Sequence, residues 1–267
     1  MTKDNNNLDS GYKAAIDFTN AHYENFPVVS CLLPKKLRKH VAIVYQFARQ
    51  ADDIADEGSY DPRERLKRLK VYRDQLDEAV QGSPCSDFWY ALSNTINLKN
   101  IEFQNFTNLL SAFEQDVNKD RYTDFNDVLN YCSNSANPVG RIILELNGIF
   151  DEDSKKLSDN ICTALQLTNF YQDVSIDIQK GRIYIPIDEL NEFGVTEEMF
   201  QLKGFNGKFK KLIEFQVDRA DELFENGKKL LTKLPLRLRL QISWTIGGGQ
   251  SILEKIRKND FNVLENR

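Results

Sequence analysis

The sequence contains few of the residues on which many catalytic and binding sites depend. It has only two histidines, His22 and His40, so histidine-based metal sites and Ser/His/Asp triads are close to excluded. Its four cysteines form no C-x-x-C pair and indicate free thiols in a reducing compartment. No apolar run approaches the roughly 18 residues that cross a membrane, and the N-terminus lacks the apolar core of a secretory signal. We therefore expect a cytoplasmic protein.

The chain also lacks an excess of positive charge. Its formal net charge is −5, from 40 acidic and 35 basic side chains, and this argues against nucleic acid as a partner. Hydrophobic residues make up 41% of the 267 positions, enough for a sizeable core.

Convincing alternation of apolar and polar residues, the mark of a strand, is absent, and Gly181–Pro186 is the nearest approach to it. Apolar residues instead recur every three or four positions, which predicts amphipathic helices. Because no linker divides the chain, we predict one all-α domain over residues 1–267, with residues 1–10 disordered. The predicted helices are 12–24, 35–57, 62–81, 85–98, 101–117, 125–148, 153–179, 207–232 and 235–258.

An acidic segment, "QFARQADDIADEG" at Gln46–Gly58, follows an apolar helical stretch. On a helix Arg49, Asp52 and Asp56 share one face, and the two carboxylates lie about 6 Å apart along the axis. Acids at a helix C-terminus oppose the macrodipole and repel one another. A bound divalent cation such as Mg²⁺ would remove this conflict. A solvated helix end is the alternative, and this segment alone does not decide between the two.

A second polar stripe lies in "CTALQLTNFYQDVSIDIQKGRIYIP" at Cys162–Pro186, where Asn169, Asp173 and Asp177 recur every four residues and Gln166 precedes them by three. Most neighbouring positions are apolar, so the stripe is expected to face inward. Burying two carboxylates without partners costs several kcal/mol each, and metal coordination offsets that cost. A polar face hydrogen-bonded to a neighbouring helix is the alternative interpretation.

Two acid-bearing helices around an apolar cavity indicate a particular chemistry. Mg²⁺ ions would bridge carboxylates and a diphosphate leaving group, and the cavity would hold a carbocation away from water. This is the chemistry of isoprenoid diphosphates.

The two motifs, "ADDIAD" and "NFYQDVSIDIQKGRIYIP", with "YCSNSANPVGR" between them, resemble the squalene/phytoene synthase family over about residues 18 to 258. The resemblance implies an isoprenoid-synthase-type helical bundle around a central apolar cavity. It also implies a catalytic, Mg²⁺-binding set at Asp52, Asp56, Asn169, Asp173 and Asp177. The substrate-contacting positions that it implies are His22, Tyr45, Arg49, Tyr131, Gln166, Arg182 and Tyr184.

The sequence is most similar to the hydroxysqualene synthase branch of bacterial hopanoid and squalene pathways. Gln172 stands where the family usually has an arginine, which suits a single diphosphate substrate. That branch converts presqualene diphosphate and water into hydroxysqualene and diphosphate without a nicotinamide cofactor. The resemblance implies handover of the substrate from a presqualene diphosphate synthase. Condensation of two farnesyl diphosphates to presqualene diphosphate, squalene or dehydrosqualene, and phytoene synthesis, are the enzymatic alternatives.

Two further expectations concern partners. The non-enzymatic alternative is a catalytically inactive family member that acts as an assembly factor. All five metal-ligand positions are intact, which argues against it. The basic run Leu33–His40 indicates a solvated helix start or a peripheral contact with anionic lipid.

Overall fold

The computed structural model describes residues 3–22 and 33–265. Helices dominate these residues, and no strand occurs among them. Contacts between Cα atoms divide the chain into two compact units, one of residues 1–118 and 141–150, the other of residues 119–140 and 151–267. The prediction of one domain over the whole chain stays a prediction. No helix within the described ranges is both long and apolar enough to cross a membrane.

The described residues of the first unit form five helices and the end of a sixth. Its helices are α1 (Lys3–Ala21), α2 (Lys35–Asp56), α3 (Pro62–Val80), α4 (Asp87–Lys99) and α5 (Phe103–Asn118), and α7 (Asn137–Leu146) ends in this unit. Pro34 directly precedes α2, and Pro62 opens α3, where a missing N–H costs nothing. The Asp61 carboxylate accepts hydrogen bonds from the first amides of α3. Buried residues on α2, among them Ile43, Phe47 and Ala51, pack into the core of this unit.

The second unit is built around α8 (Glu152–Gln172), against which α12 (Gly207–Gly227) packs along its length. The Asp151 carboxylate caps α8, and the Asn206 amide oxygen caps α12. Its other α-helices are α6 (Phe125–Ser135), the start of α7, α9 (Val174–Asp177), α10 (Ile187–Phe193), α11 (Glu197–Gln201) and α13 (Leu236–Lys258). Short 3₁₀ turns follow α9 and α12, at Ile178–Lys180 and Lys228–Thr232.

The first helix corrects one predicted boundary, because α1 begins at Lys3 and not at residue 12, whereas the disorder expected for residues 1–10 stays a prediction. The polar asparagine run concealed an apolar spacing of four and three, formed by Leu8, Tyr12 and Ala15, all of which pack on the core. α1 also lies close against α4, since a Cβ at Gly11 would stand 2.2 Å from the carbonyl oxygen of Asp87.

Two long predicted helices are interrupted. The one predicted at 125–148 divides at Ala136 into α6 and α7, and Pro138 falls in the first turn of α7, where a proline is tolerated. The one predicted at 153–179 ends at Gln172, because Asp173 adopts φ −98° and ψ 12°, and α9 follows. Two short helices, α10 and α11, were not predicted.

Candidate active site

The first acidic motif occupies the last turns of α2, in the first unit. The guanidinium of Arg49 lies between two carboxylates, with Nη1 3.3 Å from Asp52 Oδ2 and Nη2 2.7 Å from Asp53 Oδ1. The predicted grouping of Arg49 with Asp52 is therefore present. Asp53, which the sequence analysis left outside the site, is the closer partner of Arg49.

Charge accumulates at this end of α2. Burial raises the pKa of Asp52, Arg49 lowers it by a smaller amount, and the neighbouring carboxylates of Asp56, Asp53 and Glu57 raise it further. The carboxylate form of Asp52 is thus poorly stabilised by the protein alone. A divalent cation would stabilise this form, because its positive charge would offset the repulsion among the four neighbouring carboxylates.

Two buried polar atoms near this end of α2 lack a hydrogen-bond partner among the described residues. Gln46 Oε1 and Arg49 Nε are buried, and neither has a hydrogen-bond partner within the described part of the chain. Buried polar groups in folded proteins nearly always have a hydrogen-bond partner, which is an ordered water molecule if no protein group is in reach. Hard carboxylate oxygens beside an incompletely satisfied guanidinium fit Mg²⁺ together with a phosphate-bearing ligand.

Arg65 on α3 organises the end of the acidic helix. Its guanidinium donates to the carbonyl oxygens of Ala55 at 2.6 Å, Gly58 at 2.8 Å and Tyr60 at 3.1 Å, and also to that of Ile54 at 3.3 Å. The carbonyls of Ile54 and Ala55 belong to the last turn of α2, the negative end of its dipole, so Arg65 offsets the conflict created by the acids. Sequence reasoning missed Arg65, because it lies on the next helix, and no sequence pattern indicates that its side chain reaches back to the end of α2.

The rings of His22 and Tyr45 both lie near the ring of Phe18. The ring of His22 stacks on Phe18 at 4.2 Å, its Nδ1 lies 2.9 Å from the Phe18 carbonyl oxygen, and the Tyr45 ring lies 6.5 Å from that of Phe18. Tyr45 precedes Arg49 by one helical turn, so α2 carries both on one face. The rest of the "HYENFP" segment, Tyr23–Pro27, falls outside the described residues.

In the second unit the Asn169–Asp173–Asp177 stripe keeps its spacing despite the break in the helix. The amide of Asp173 donates to the Asn169 carbonyl at 2.9 Å, and the amide of Asp177 donates to the Asp173 carbonyl at 2.8 Å. Both are separations of four residues, so the three positions remain in helical register. The Asn169 side chain is exposed, and those of Asp173, Asp177 and Gln166 are half-buried. The fully inward stripe expected from the sequence is thus only partly inward.

The loop after this stripe turns back upon it. The amide of Arg182 donates to the Asp177 carbonyl at 2.9 Å, and Gly181, with φ 75°, supplies the left-handed residue of the turn. A small pocket in this region is lined partly by Asp177, Arg182, Tyr184 and Phe170. Two of the predicted substrate-contacting residues therefore line the same pocket as a predicted metal ligand.

Four aromatic rings surround this loop: Tyr122, Tyr131, Phe170 and Tyr184. Phe170 and Tyr184 stack at 3.7 Å with an interplanar angle of 6°, and Tyr131 lies 5.9 Å from Phe170 and 6.1 Å from Tyr184. Tyr131 and Tyr184 were predicted, whereas Tyr122 and Phe170 were not. Aromatic faces stabilise a nearby cation, so the cluster suits a reaction that passes through one.

A buried polar network holds the last turn of α8 in place. The Tyr171 hydroxyl donates to Gln216 Oε1 at 2.9 Å, and Gln216 in turn donates to Glu189. Arg219 reaches the same carboxylate with two nitrogens, at 2.5 and 2.9 Å, and lies over the Phe125 ring at 3.5 Å. The network ties α8 to α10 and α12 beside the second stripe.

The structure thus assigns the predicted site residues to two groups. His22, Tyr45, Arg49, Asp52 and Asp56 lie in the first unit. Tyr131, Gln166, Asn169, Asp173, Asp177, Arg182 and Tyr184 lie in the second. Within the described ranges no three His, Cys, Asp or Glu side chains are grouped closely enough to hold a metal ion by themselves. Joint coordination by both groups stays a prediction.

Comparison with known proteins defines the class. The squalene/phytoene synthase family model matches residues 19–267, and the chain belongs to that family. Among solved structures, squalene synthase HpnC from Alicyclobacillus acidocaldarius has a TM-score of 0.91 and 36% sequence identity, with 96% of each chain covered. This confirms the predicted all-α, isoprenoid-synthase-type fold. A dehydrosqualene synthase, 24% identical with a TM-score of 0.84, shares the fold.

Two relatives known by sequence carry different activities. The hydroxysqualene synthase of Sinorhizobium fredii is 29% identical over 241 residues, which cover 89% of this chain and 80% of that enzyme. Chloroplastic phytoene synthase 2 of Zea mays is 28% identical over 269 residues, covering 97% of this chain. The chain spans 66% of the length of the maize protein.

Proposed function

We propose that this protein is a Mg²⁺-dependent synthase that converts presqualene diphosphate and water into hydroxysqualene and diphosphate. The bond between carbon and the diphosphate oxygen breaks, and diphosphate leaves with the electron pair. After rearrangement of the cation, a water oxygen bonds to carbon and releases a proton to solvent. The reaction neither gains nor loses electrons, so no nicotinamide cofactor takes part.

The observation that carries the proposal is the pairing, on α2, of the partly satisfied Arg49 guanidinium with the Asp52 carboxylate, which the protein leaves poorly stabilised. Such a site is suited to an ionising diphosphate. The stripe in register at Asn169, Asp173 and Asp177 adds a second set of oxygen donors. The family relationship supports action on a farnesyl or C30 prenyl diphosphate. The similarity to hydroxysqualene synthase and HpnC supports the finer choice.

The residues have distinct roles in this proposal. Asp52, Asp56, Asn169, Asp173 and Asp177 would hold Mg²⁺, which supplies positive charge to the departing diphosphate. Arg49 and Arg182 orient the diphosphate oxygens, and His22, Tyr45 and Gln166 contact the substrate. The rings of Tyr131 and Tyr184 face the cationic intermediate and exclude water from it until quenching.

The experiment offers purified protein each candidate substrate separately, with Mg²⁺ and without NADPH. The substrates are presqualene, farnesyl and geranylgeranyl diphosphate, and mass spectrometry identifies the products. We expect hydroxysqualene from presqualene diphosphate and loss of turnover when EDTA removes the metal. A product from farnesyl diphosphate alone, with none from presqualene diphosphate, assigns the protein to the condensing enzymes instead.

Two variants test the metal site. Asp52→Asn should abolish turnover while the thermal unfolding curve stays that of a folded protein. Glu57→Gln removes a carboxylate from the residue just after α2 and should leave most activity. Full activity in Asp52→Asn would refute the metal assignment. A folded wild-type protein inactive on every substrate would favour the assembly-factor alternative.

Phytoene synthesis is the second candidate function, because the maize phytoene synthase matches nearly the whole of this chain. It requires geranylgeranyl diphosphate as substrate, so the same product analysis distinguishes it. We also propose that the substrate arrives from a presqualene diphosphate synthase, since presqualene diphosphate is too apolar to diffuse freely through water.

A further inference from the structure

A stripe of large apolar side chains runs along the outer face of α13. Leu236 is 66% exposed, Leu240 is 40% exposed and Trp244 is 67% exposed. They are four residues apart, so on a helix they follow one another along nearly one line. Gly247 and Gly248 continue this face, and a Cβ at either would meet nothing within 4 Å. The stripe is open to solvent over more than two turns.

The opposite face of α13 fixes the orientation of the helix. Leu238, Ile246, Gly249, Leu253 and Ile256 are buried, and α13 packs against α8 and α12. Gly249 allows the closest approach, since a Cβ there would stand 2.5 Å from Phe224 Cζ. Because this face is held by the core of the second unit, the apolar stripe cannot turn inward. Its exposure is a property of the folded unit.

Positive charge borders the stripe. At 100° per residue, Arg237 lies on one side of the stripe and Arg239 on the other, and both are exposed. In the part of the chain that the structure describes, neither forms an ion pair. The whole segment 226–253 contains five lysines and arginines and no acid, although the chain as a whole has a net charge of −5. Lys228 pairs with Glu225, and Lys233 pairs with Asp151 and Asp153. The positive charge that borders the stripe is therefore that of Arg237 and Arg239.

We infer that this face of α13 is a docking surface for a membrane that contains anionic lipids. Leucines and a tryptophan enter the headgroup region, and the flanking arginines meet the phosphates. Tryptophan is enriched at this depth because its ring is apolar and its N–H is polar. The surface differs from the basic run Leu33–His40, for which the sequence indicates a solvated helix start or a lipid contact.

A second copy of the chain is the less suitable occupant. A two-fold dimer through this face would place the same patch against itself, so four arginines, two from each copy, would enter one interface. An anionic bilayer offers both an apolar layer and opposite charge. The inference goes beyond the proposed function, because docking needs no substrate and no metal.

The test mixes full-length protein with vesicles of phosphatidylcholine alone or of equal parts phosphatidylcholine and phosphatidylglycerol, without substrate. Sedimentation measures binding. The chain has two tryptophans, and Trp89 is buried at 3% exposure, so a blue shift of emission reports entry of Trp244 into lipid. We expect binding to the anionic vesicles, weakening as salt is raised. Equal binding to pure phosphatidylcholine, or no binding to either, overturns the proposal.

Variants locate the surface. Leu236→Gln with Leu240→Gln should weaken vesicle binding about tenfold or more, and Arg237→Gln about fivefold. The matched control is Leu98→Gln with Leu202→Gln, two leucines that are 62% and 71% exposed elsewhere, and it should bind as wild type. If the α13 variant binds vesicles as wild type does, or changes only the oligomeric mass, the face is not a lipid surface. A negative result in vesicle binding would not change the outcome of the turnover assay. A negative result in the turnover assay would likewise leave the vesicle-binding result standing.

Discussion

His40, on the helix that carries the first acidic motif, makes the first unit sensitive to mild acid. The residue is 2% exposed, and its Nδ1 lies 2.8 Å from Thr95 Oγ1 and 3.3 Å from the Tyr12 hydroxyl. Burial, followed by the nearby charges of Lys99 and Lys39, lowers its pKa from 6.5 to about 4. The folded protein therefore holds this imidazole neutral in a range where the unfolded chain protonates it.

The sign and size of the effect follow from this difference. Between pH 6.5 and about 4 the unfolded chain binds one more proton at this site than the folded chain. The stabilisation is therefore fully present above pH 6.5 and is lost as the pH falls through that window. The complete loss is about 3 kcal/mol, and about 2 kcal/mol is lost between pH 7.5 and 5.0.

The assay uses urea unfolding followed by tryptophan fluorescence in a Trp244→Phe background, in which Trp89 reports on the first unit. His40→Asn retains a hydrogen-bonding group near Nδ1 but cannot titrate. We expect the parent to lose about 2 kcal/mol more than this variant between pH 7.5 and 5.0. If both lose the same free energy, His40 does not hold the low pKa. Because the chain has only two histidines, the NMR resonance of His40 can be titrated directly as a second measurement.

Three further predictions concern residues described above. Arg65→Gln should destabilise the first unit by about 2 kcal/mol in urea unfolding, because the carbonyls at the end of α2 lose a charged donor, and stability equal to wild type would refute the clamp. Gly249→Ala should destabilise by about 1–3 kcal/mol through its clash with Phe224, whereas Gly247→Ala should stabilise by about 0.5–1 kcal/mol; equal Tm values for the two would contradict this. Arg219→Met should cost about 3–5 kcal/mol in thermal unfolding, because it leaves the buried carboxylate on α10 unpaired, and adding Glu189→Gln should recover part of the loss.

The sequence predicted those elements whose signals are local. α2, α3 and α13 begin within a residue of their predicted starts, because a proline and a three-four apolar spacing mark each one. The break at Asp173 was not predicted, since the polar spacing continues across it and the backbone hydrogen bonds preserve the register. The extension of α1 was missed because the asparagines obscured its apolar positions.

The candidate site was predictable where residues share a helix and not where they meet across the fold. The pairing of Arg49 with Asp52 follows from helical spacing alone. The contact of Arg65 with Ala55 joins different helices across 10 residues, and that of Tyr171 with Gln216 joins different helices across 45 residues. No periodicity encodes such contacts. The convergence of the two acidic stripes on one diphosphate also belongs to this class, and it stays a prediction.

The Arg65 clamp decides where the first unit tolerates inserted residues. One guanidinium on α3 holds a carbonyl of α2 and two carbonyls of the linker at 57–61, and a single residue added to that linker would displace some of them by about 3 Å, beyond hydrogen-bonding reach. The linker at 81–86, between α3 and α4, is mostly exposed and has open space around Gly82. An epitope tag or a fluorophore-labelling peptide therefore belongs there, where lengthening the loop costs only a little closure entropy.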